Sequence, residues 1–94
     1  MTDQPKWTPG PWRYDRTNGS PTTGEHMIAG AKPGYLAEVR DCGSGDVRAN
    51  AHLIAAAPDL YAALEMAQLW LSVDGRFDMQ GINAALAKAR GEAQ

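Results

Sequence analysis

The amino-acid sequence predicts an α+β fold, in which a small antiparallel sheet of about three strands is followed by two or three helices. Up to residue 45, short segments of alternating character are separated by turns rich in glycine and proline, which is typical of strands. From Val47 onwards, apolar residues recur every three or four positions, which is typical of helices. Because the strands come first and the helices after, the predicted class is α+β.

Three segments before residue 45 have the character of strands. They are Trp12 to Arg16, Glu25 to Ala29 and Tyr35 to Cys42. The segment between the first two contains Asn18-Gly19, which favours a loop or a hairpin turn. A three-stranded sheet this small needs a helix over one face to be stable. We therefore expect one of the following helices to cover it.

The residues from 46 to 73 form an alanine- and leucine-rich helical segment. Ser44 or Asp46 is expected to cap its first turn. Pro58 removes an amide donor and clashes with the preceding turn, so we predict a kink or a break there. One apolar stripe is predicted along the segment, made of Leu53, Ala57, Leu60, Leu64, Ala67 and Leu71.

A shorter final helix is predicted over residues 78–92, with Asp78 as its cap. The whole chain, residues 1–94, is expected to form a single domain, with strands and turns in residues 1–45. A chain of this size buries roughly 60–70% of the surface of its unfolded form. The predicted core is therefore modest.

Composition excludes several classes of partner. The net charge is −2 and the nine basic residues form no stripe, so duplex nucleic acid is not an expected partner. No apolar run approaches the ~20 residues that a membrane span requires. Cys42 is the single cysteine, which fits a reducing compartment, and the polar N-terminus lacks the apolar core of a signal peptide. We expect a cytoplasmic protein that does not bind membranes.

The second half of the long helical segment is apolar on nearly all sides. Its polar residues Glu65, Gln68 and Ser72 fall in one narrow sector, together with Tyr61. A helix of this kind is buried almost all round, and a small sheet with one short helix covers only part of it. Either the last helix and the N-terminal segment cover the remainder, or another copy does. We predict a homo-oligomer whose interface contains Met66, Leu69, Trp70 and Val73.

Catalytic and metal-binding signatures are absent from the sequence. His26 and His52 are the only histidines, and neither lies in a cluster with metal-ligand spacing. No Gly-x-Ser-x-Gly, Cys–His or paired-carboxylate arrangement occurs. We expect a protein that is not an enzyme, with no metal site and no cofactor.

Aromatic and basic residues indicate binding of a nucleotide-like ligand. Aromatic faces stack on bases, and arginine forks match phosphate. Asn50 is the best placed candidate, because an asparagine inside an alanine-rich helix is more easily explained by a specific hydrogen bond than by helix propensity. The alternative for each residue is an ordinary structural role, such as packing of the tryptophan on the sheet. The predicted ligand-binding residues are Trp12, Arg13, Arg40, Arg48, Asn50 and His52.

Two motifs resemble those of a group of small tailed-phage and prophage proteins. They are Thr8-Pro9-Gly10-Pro11-Trp12 and the segment from Ala49 to Leu60, Ala-Asn-Ala-His-Leu-Ile-Ala-Ala-Ala-Pro-Asp-Leu. In its plan the chain also resembles phage sponges that bind cyclic ADP-ribose-type immune signals and so blunt Thoeris defence. That resemblance implies a homo-oligomer and a ligand contact at Asn50, which lies near the start of the first long helix as the contacting asparagine does in those sponges.

The favoured hypothesis is a phage anti-defence protein that sequesters a nucleotide-derived immune signal, of the cyclic ADP-ribose or cyclic nucleotide type, without turnover. The alternative is a phage interaction protein that inhibits a host defence protein, such as a CRISPR component, by direct binding. In that case the apolar residues Met66, Leu69 and Trp70 would contact the target. A small signal-degrading enzyme would need a general acid–base pair that the sequence does not reveal.

Overall fold

The structure is a computed structural model that describes residues 6–19, 24–43, 45–76 and 78–92. A three-stranded antiparallel sheet precedes three helices, which confirms the predicted α+β class. Contacts divide the chain into two compact units: residues 8–58, and residues 1–7 together with residues 59–94. The expectation of one domain over the whole chain stays a prediction.

The sheet is a meander of three short strands in the order β1-β2-β3. They are β1 (Arg13–Arg16), β2 (His26–Ala29) and β3 (Tyr35–Glu38). In the register of the first pair, Tyr14 lies opposite Ile28. The third strand ends at Glu38 rather than at the predicted Cys42, although the Val39 amide still donates to the His26 carbonyl at 2.8 Å.

The first helix, α1 (Val47–Ala55), covers one face of the sheet. Asp46 is its cap, because the side chain accepts a hydrogen bond from the Arg48 amide, while Ser44, the other predicted cap, lies outside the described residues. Ala51 and Ala55, one turn apart, are buried against Ile28. Trp12, Tyr14 and Val39 surround this contact.

The predicted stripe is wrong for α1. Leu53 is 64% exposed, because the helix turns its alanine face, and not its leucine, toward the sheet. Small side chains allow the helix backbone to lie close to β2, and a leucine in the place of Ala51 would hold it away. The unit of residues 8–58 is therefore built on a compact core with Ile28 at its centre.

The predicted break in the helical segment is confirmed. It falls at Ala56, two residues before Pro58, and the next helix, α2, spans Ala57–Asp74. Pro58 is therefore in the first turn of α2, where a missing amide donor costs no helical hydrogen bond. The proline thus starts the second helix rather than kinking a continuous one.

The unit that contains residues 59–94 is a pair of helices, most of α2 and α3 (Gln80–Ala89). Gln68 contacts Asn83 and Tyr61 contacts Arg90, so the helices run in opposite directions. Leu86 is fully buried in this unit. Helix α3 is shorter than the predicted range 78–92, and Met79 rather than the predicted Asp78 occupies its N-cap position. Asp78 still accepts a hydrogen bond from the Gln80 amide at 2.9 Å. Within the described ranges, no helix has the length and the apolar character needed to cross a membrane.

Candidate functional site

The structure collects aromatic and charged side chains around Tyr14, on the sheet face that α1 covers. Tyr14 and Arg16 alternate along β1 and so point to the same face. The register places Arg16 opposite His26 on β2. His52 reaches the group from α1, and Arg48 lies one helical turn before it. We call this group the Tyr14 cluster: Tyr14, Arg16, Glu25, His26, Arg48 and His52.

Tyr14 contacts both histidines of the chain. Its hydroxyl is hydrogen-bonded to Nδ1 of His26 at 2.6 Å, and the two rings stack with centroids 5.8 Å apart. The ring of His52 meets Tyr14 edge to face at 4.9 Å. The His26 side chain is only 14% exposed, whereas His52 is exposed on α1. The imidazole of His52 thus lies on the outer side of the cluster, where a ligand is able to reach it.

A carboxylate links His26 to an arginine. Arg16 donates to Oε2 of Glu25 through both Nε at 3.0 Å and Nη2 at 2.6 Å, and Nε2 of His26 lies 4.0 Å from the same oxygen. The hydrogen bonds from Arg16 and its charge lower the pKa of Glu25, with smaller contributions from the charges of His26 and Arg48. Glu25 is therefore a carboxylate at neutral pH and offsets part of the positive charge of the cluster.

Two of the predicted ligand-binding residues have structural roles. Trp12 is half-buried against the core of Ile28 and Ala51, and its indole Nε1 donates to the Thr8 carbonyl at 3.0 Å. Arg13 points to the face opposite Tyr14 and donates to the Gly30 carbonyl at 3.1 Å. Neither side chain belongs to the Tyr14 cluster. Strand alternation directs Arg13 to the other face of the sheet, and Trp12 packs on the core instead.

The other predicted ligand-binding residues are exposed. Arg40 follows β3 and forms an exposed ion pair with Glu38 at 3.4 Å. Arg48, Asn50 and His52 all lie on α1. Arg48 and His52 share one side of the helix next to Tyr14, while Asn50 is turned toward Gly45. The group that the structure assembles is therefore Arg48 and His52 with Tyr14.

Sequence reasoning missed the parts played by Glu25 and His26. Each was an isolated polar residue in the sequence, and only the pairing of β1 with β2 brings them to Arg16 and Tyr14. Alternation along β1 was the available signal, since Trp12, Tyr14 and Arg16 occupy every second position. A prediction of the hairpin register would have been needed to use it.

The second candidate surface lies on α2, which has no buried residue. We call it the α2 face: Met66, Leu69, Trp70 and Val73, which lie close together on the helix surface because of their spacing. Trp70 is 70% exposed and Val73 is 81% exposed. The α2 face is therefore exposed in the structure. The predicted homo-oligomer interface at these residues stays a prediction.

A groove of about 690 Å³ adjoins the α2 face. It is lined by Ala62, Glu65, Met66, Gln68, Leu69, Ser72, Met79 and Asn83. Its lining is mainly apolar, with a hydrogen bond from Gln68 Nε2 to Asn83 Oδ1 at 2.7 Å joining α2 to α3. Glu65 supplies the one charge among the lining residues.

Within the described parts of the chain, no group of three or more His, Cys, Asp or Glu side chains is arranged to hold a metal ion. The expectations of no metal site and no cofactor stay predictions.

The fold and these surfaces define a small α+β protein with an exposed apolar helix and an aromatic–imidazole cluster beneath its first helix. The family model of Salmonella phage P22 protein Y8K6 matches residues 1–93, and the chain belongs to this family. The predicted membership of a phage protein family is thereby confirmed. Comparison with curated proteins found no match, and comparison with solved structures found none. The resemblance to signal sponges stays a prediction.

Proposed function

We propose that this phage protein acts by non-covalent binding of another protein through the α2 face, and that it catalyses no reaction. The observation that carries the proposal is the exposure of four clustered apolar side chains, of which Trp70 and Val73 are the most exposed. Soluble proteins rarely leave a large contiguous apolar patch uncovered unless the patch is an interaction site.

The α2 face has the composition of a binding hot spot. Tryptophan supplies a large contact area with few rotatable bonds, and methionine adapts its shape to a partner. Contacts with α3 hold the helix on its other side, through Tyr61 with Arg90 and Gln68 with Asn83. These two hydrogen bonds join α2 to α3, which limits the freedom of the helix and lowers the entropy cost of binding.

Two kinds of protein would fill this role. One is a second copy of the chain, as the apolar character of α2 predicts, and the other is a host protein such as a defence component. Both contacts use the same apolar residues, so loss of the α2 face abolishes either one.

The proposal is tested with the double variant Leu69→Ser/Trp70→Ser and the matched control Leu53→Ser. Leu53 is also a strongly exposed apolar residue, but it lies on α1. Sedimentation velocity measures self-association, and co-purification from phage-infected cells measures association with other proteins. We expect the double variant to lose the association and the control to retain it. Equal behaviour of both variants would contradict the proposal.

Sequestration of a nucleotide-derived immune signal is a second candidate function. One observation favours it: Arg48 and His52 are exposed side by side on α1, and His52 packs on Tyr14. An arginine fork and an imidazole suit a phosphate, and aromatic rings suit a base. In this candidate, Asn50 and Arg40 would be peripheral, and Trp12 and Arg13 would hold the sheet rather than the ligand.

The second candidate is tested by thermal shift with cyclic ADP-ribose isomers and cyclic dinucleotides. A ligand that binds only the native state raises the melting temperature by mass action. Arg48→Ala is expected to remove the thermal shift. Arg76 pairs with Asp74 in the other unit, so Arg76→Ala is expected to retain the shift. If none of these nucleotides raises the melting temperature, signal sequestration is excluded as the function.

A further inference from the structure

We infer that the α2 face and its groove bind a basic amphipathic helix of a partner protein, with a lysine or arginine of that helix meeting Glu65. The inference rests on the proposed function, because it specifies the chemistry of the protein that the α2 face contacts. Its first support is the charge of α2. The helix carries the carboxylates Asp59, Glu65 and Asp74 and has no lysine or arginine.

Glu65 is the carboxylate that lies in the groove. The structure shows ion pairs elsewhere, such as Asp74 with Arg76 at 3.5 Å. Among the described residues, none of the ion pairs involves Glu65. A carboxylate beside apolar side chains loses hydration when a partner covers it, so the partner must supply a positive charge to bind well.

The lining of the groove suits a helix. Met66 and Leu69 line its α2 side, and Met79 and Asn83 line its α3 side. Methionine-rich apolar grooves between helices are a common way of receiving an amphipathic helix, whose apolar residues recur every three or four positions. The continuous strip from the groove to Trp70 and Val73 extends the contact along about two turns of α2.

The same charge argues against a second copy as the occupant. A symmetric pairing of two α2 faces places the same patch on both sides. Glu65 of both copies would then enter the interface, and α2 offers no base to pair with either of them. An anionic membrane surface is disfavoured for the same reason, since it attracts basic rather than acidic helices.

The test uses an 18-residue helical peptide of leucine and lysine, and a matched peptide in which every lysine is glutamate. Fluorescence anisotropy of each labelled peptide is measured with the whole chain. We expect the basic peptide to bind at least about tenfold more tightly than the acidic one. Its affinity is expected to fall as salt is raised. Glu65→Gln is expected to lower the affinity for the basic peptide at least about threefold. Glu38→Gln, which removes an equal charge on β3, is expected to leave this affinity unchanged.

The outcomes separate the inference from the proposed function. Equal binding of the two peptides, no binding of either, or no effect of Glu65→Gln overturns the inference. Self-association of the chain that Leu69→Ser/Trp70→Ser abolishes, together with no peptide binding, also overturns it but supports the α2 face as an interface. Basic-peptide binding that survives Leu69→Ser/Trp70→Ser contradicts the inference and counts against the proposed function as well.

Discussion

Gly10 lies directly against the ring of Pro58: a β-carbon at residue 10 would come within 3.0 Å of the Pro58 Cβ. Gly10 is the centre of the Thr-Pro-Gly-Pro-Trp motif, and Pro58 belongs to the alanine-rich motif of the helical segment. Both residues lie in the compact unit of residues 8–58. The two motifs that resemble a phage protein family therefore meet in space, and their contact is already tight for a β-carbon at residue 10.

Gly10→Ala is expected to destabilise the protein. The added methyl group overpacks the contact with Pro58, which costs about 1 kcal/mol or more. Such a loss lowers the melting temperature by about 4–8 °C in a chain of this size. Gly81→Ala is the matched control, because residue 81 has open space around it and lies in α3, where alanine is favoured. An unchanged melting temperature for Gly10→Ala would contradict the contact.

Ala51→Leu tests the close approach of α1 to the sheet. Ala51 is fully buried against Ile28, so the larger side chain must push the helix away, at a cost of about 1–3 kcal/mol. Leu53→Ala removes a larger side chain from the same helix, but residue 53 is exposed and little stability is lost. Urea denaturation measures the free energy of unfolding of both variants. If Leu53→Ala is the more damaging substitution, the leucine and not the alanine side of α1 faces the core.

The fold class and the break near Pro58 were predictable, because both depend on local signals: a change of periodicity after residue 45, and the missing amide of proline. The side of α1 that faces the sheet was not predictable. Hydrophobicity favoured Leu53 over Ala51, yet the distance between helix and sheet selects the smaller residue. That distance is a tertiary property, and no pattern within the helix encodes it.

The candidate site was predictable only in part, for a similar reason. The grouping of Arg48 with His52 follows from their helical spacing, since they are four positions apart. The roles of Trp12 and Arg13 depend on which face of β1 meets α1, and adjacent residues of a strand point in opposite directions. The pairing of His26 with Tyr14 depends on the hairpin register, which the turn sequence did not determine.

Tyr14→Phe is expected to lower stability by about 1 kcal/mol. The change removes the hydroxyl that bonds to Nδ1 of His26 at 2.6 Å and leaves that largely buried nitrogen without this partner. Tyr35→Phe is the control, because its hydroxyl donates to Asp15 at 3.2 Å in an exposed position. Thermal unfolding of the two variants is compared at neutral pH. A larger loss in Tyr35→Phe would contradict the structural role of the Tyr14 cluster.

Stability is expected to fall at acid pH partly through Glu25. Pairing with Arg16 lowers the pKa of Glu25 in the folded protein below its ordinary value of 4.5. The unfolded chain therefore takes up the proton first as pH falls, so the stabilisation is present above about pH 4.5 and is lost through the lower folded value.

Glu25→Gln is expected to flatten this part of the pH profile of the melting temperature between pH 6 and pH 3, roughly the range in which carboxylates titrate. Because the pair is exposed, the difference from the natural chain should shrink in high salt. Glu65→Gln, which removes a carboxylate with no ion pair among the described residues, is the control. A profile that is the same in Glu25→Gln and the natural chain would contradict the assigned pKa direction.

The most direct test of the account is site-specific photo-crosslinking in phage-infected cells. The photoreactive p-benzoylphenylalanine replaces Trp70 in one variant and Leu53, the exposed control on α1, in the other. We predict that irradiation joins the chain to another protein from residue 70 and not from residue 53, with mass spectrometry identifying the adduct. No adduct from residue 70, or the same adduct from both positions, would contradict the assignment of the α2 face as the binding surface.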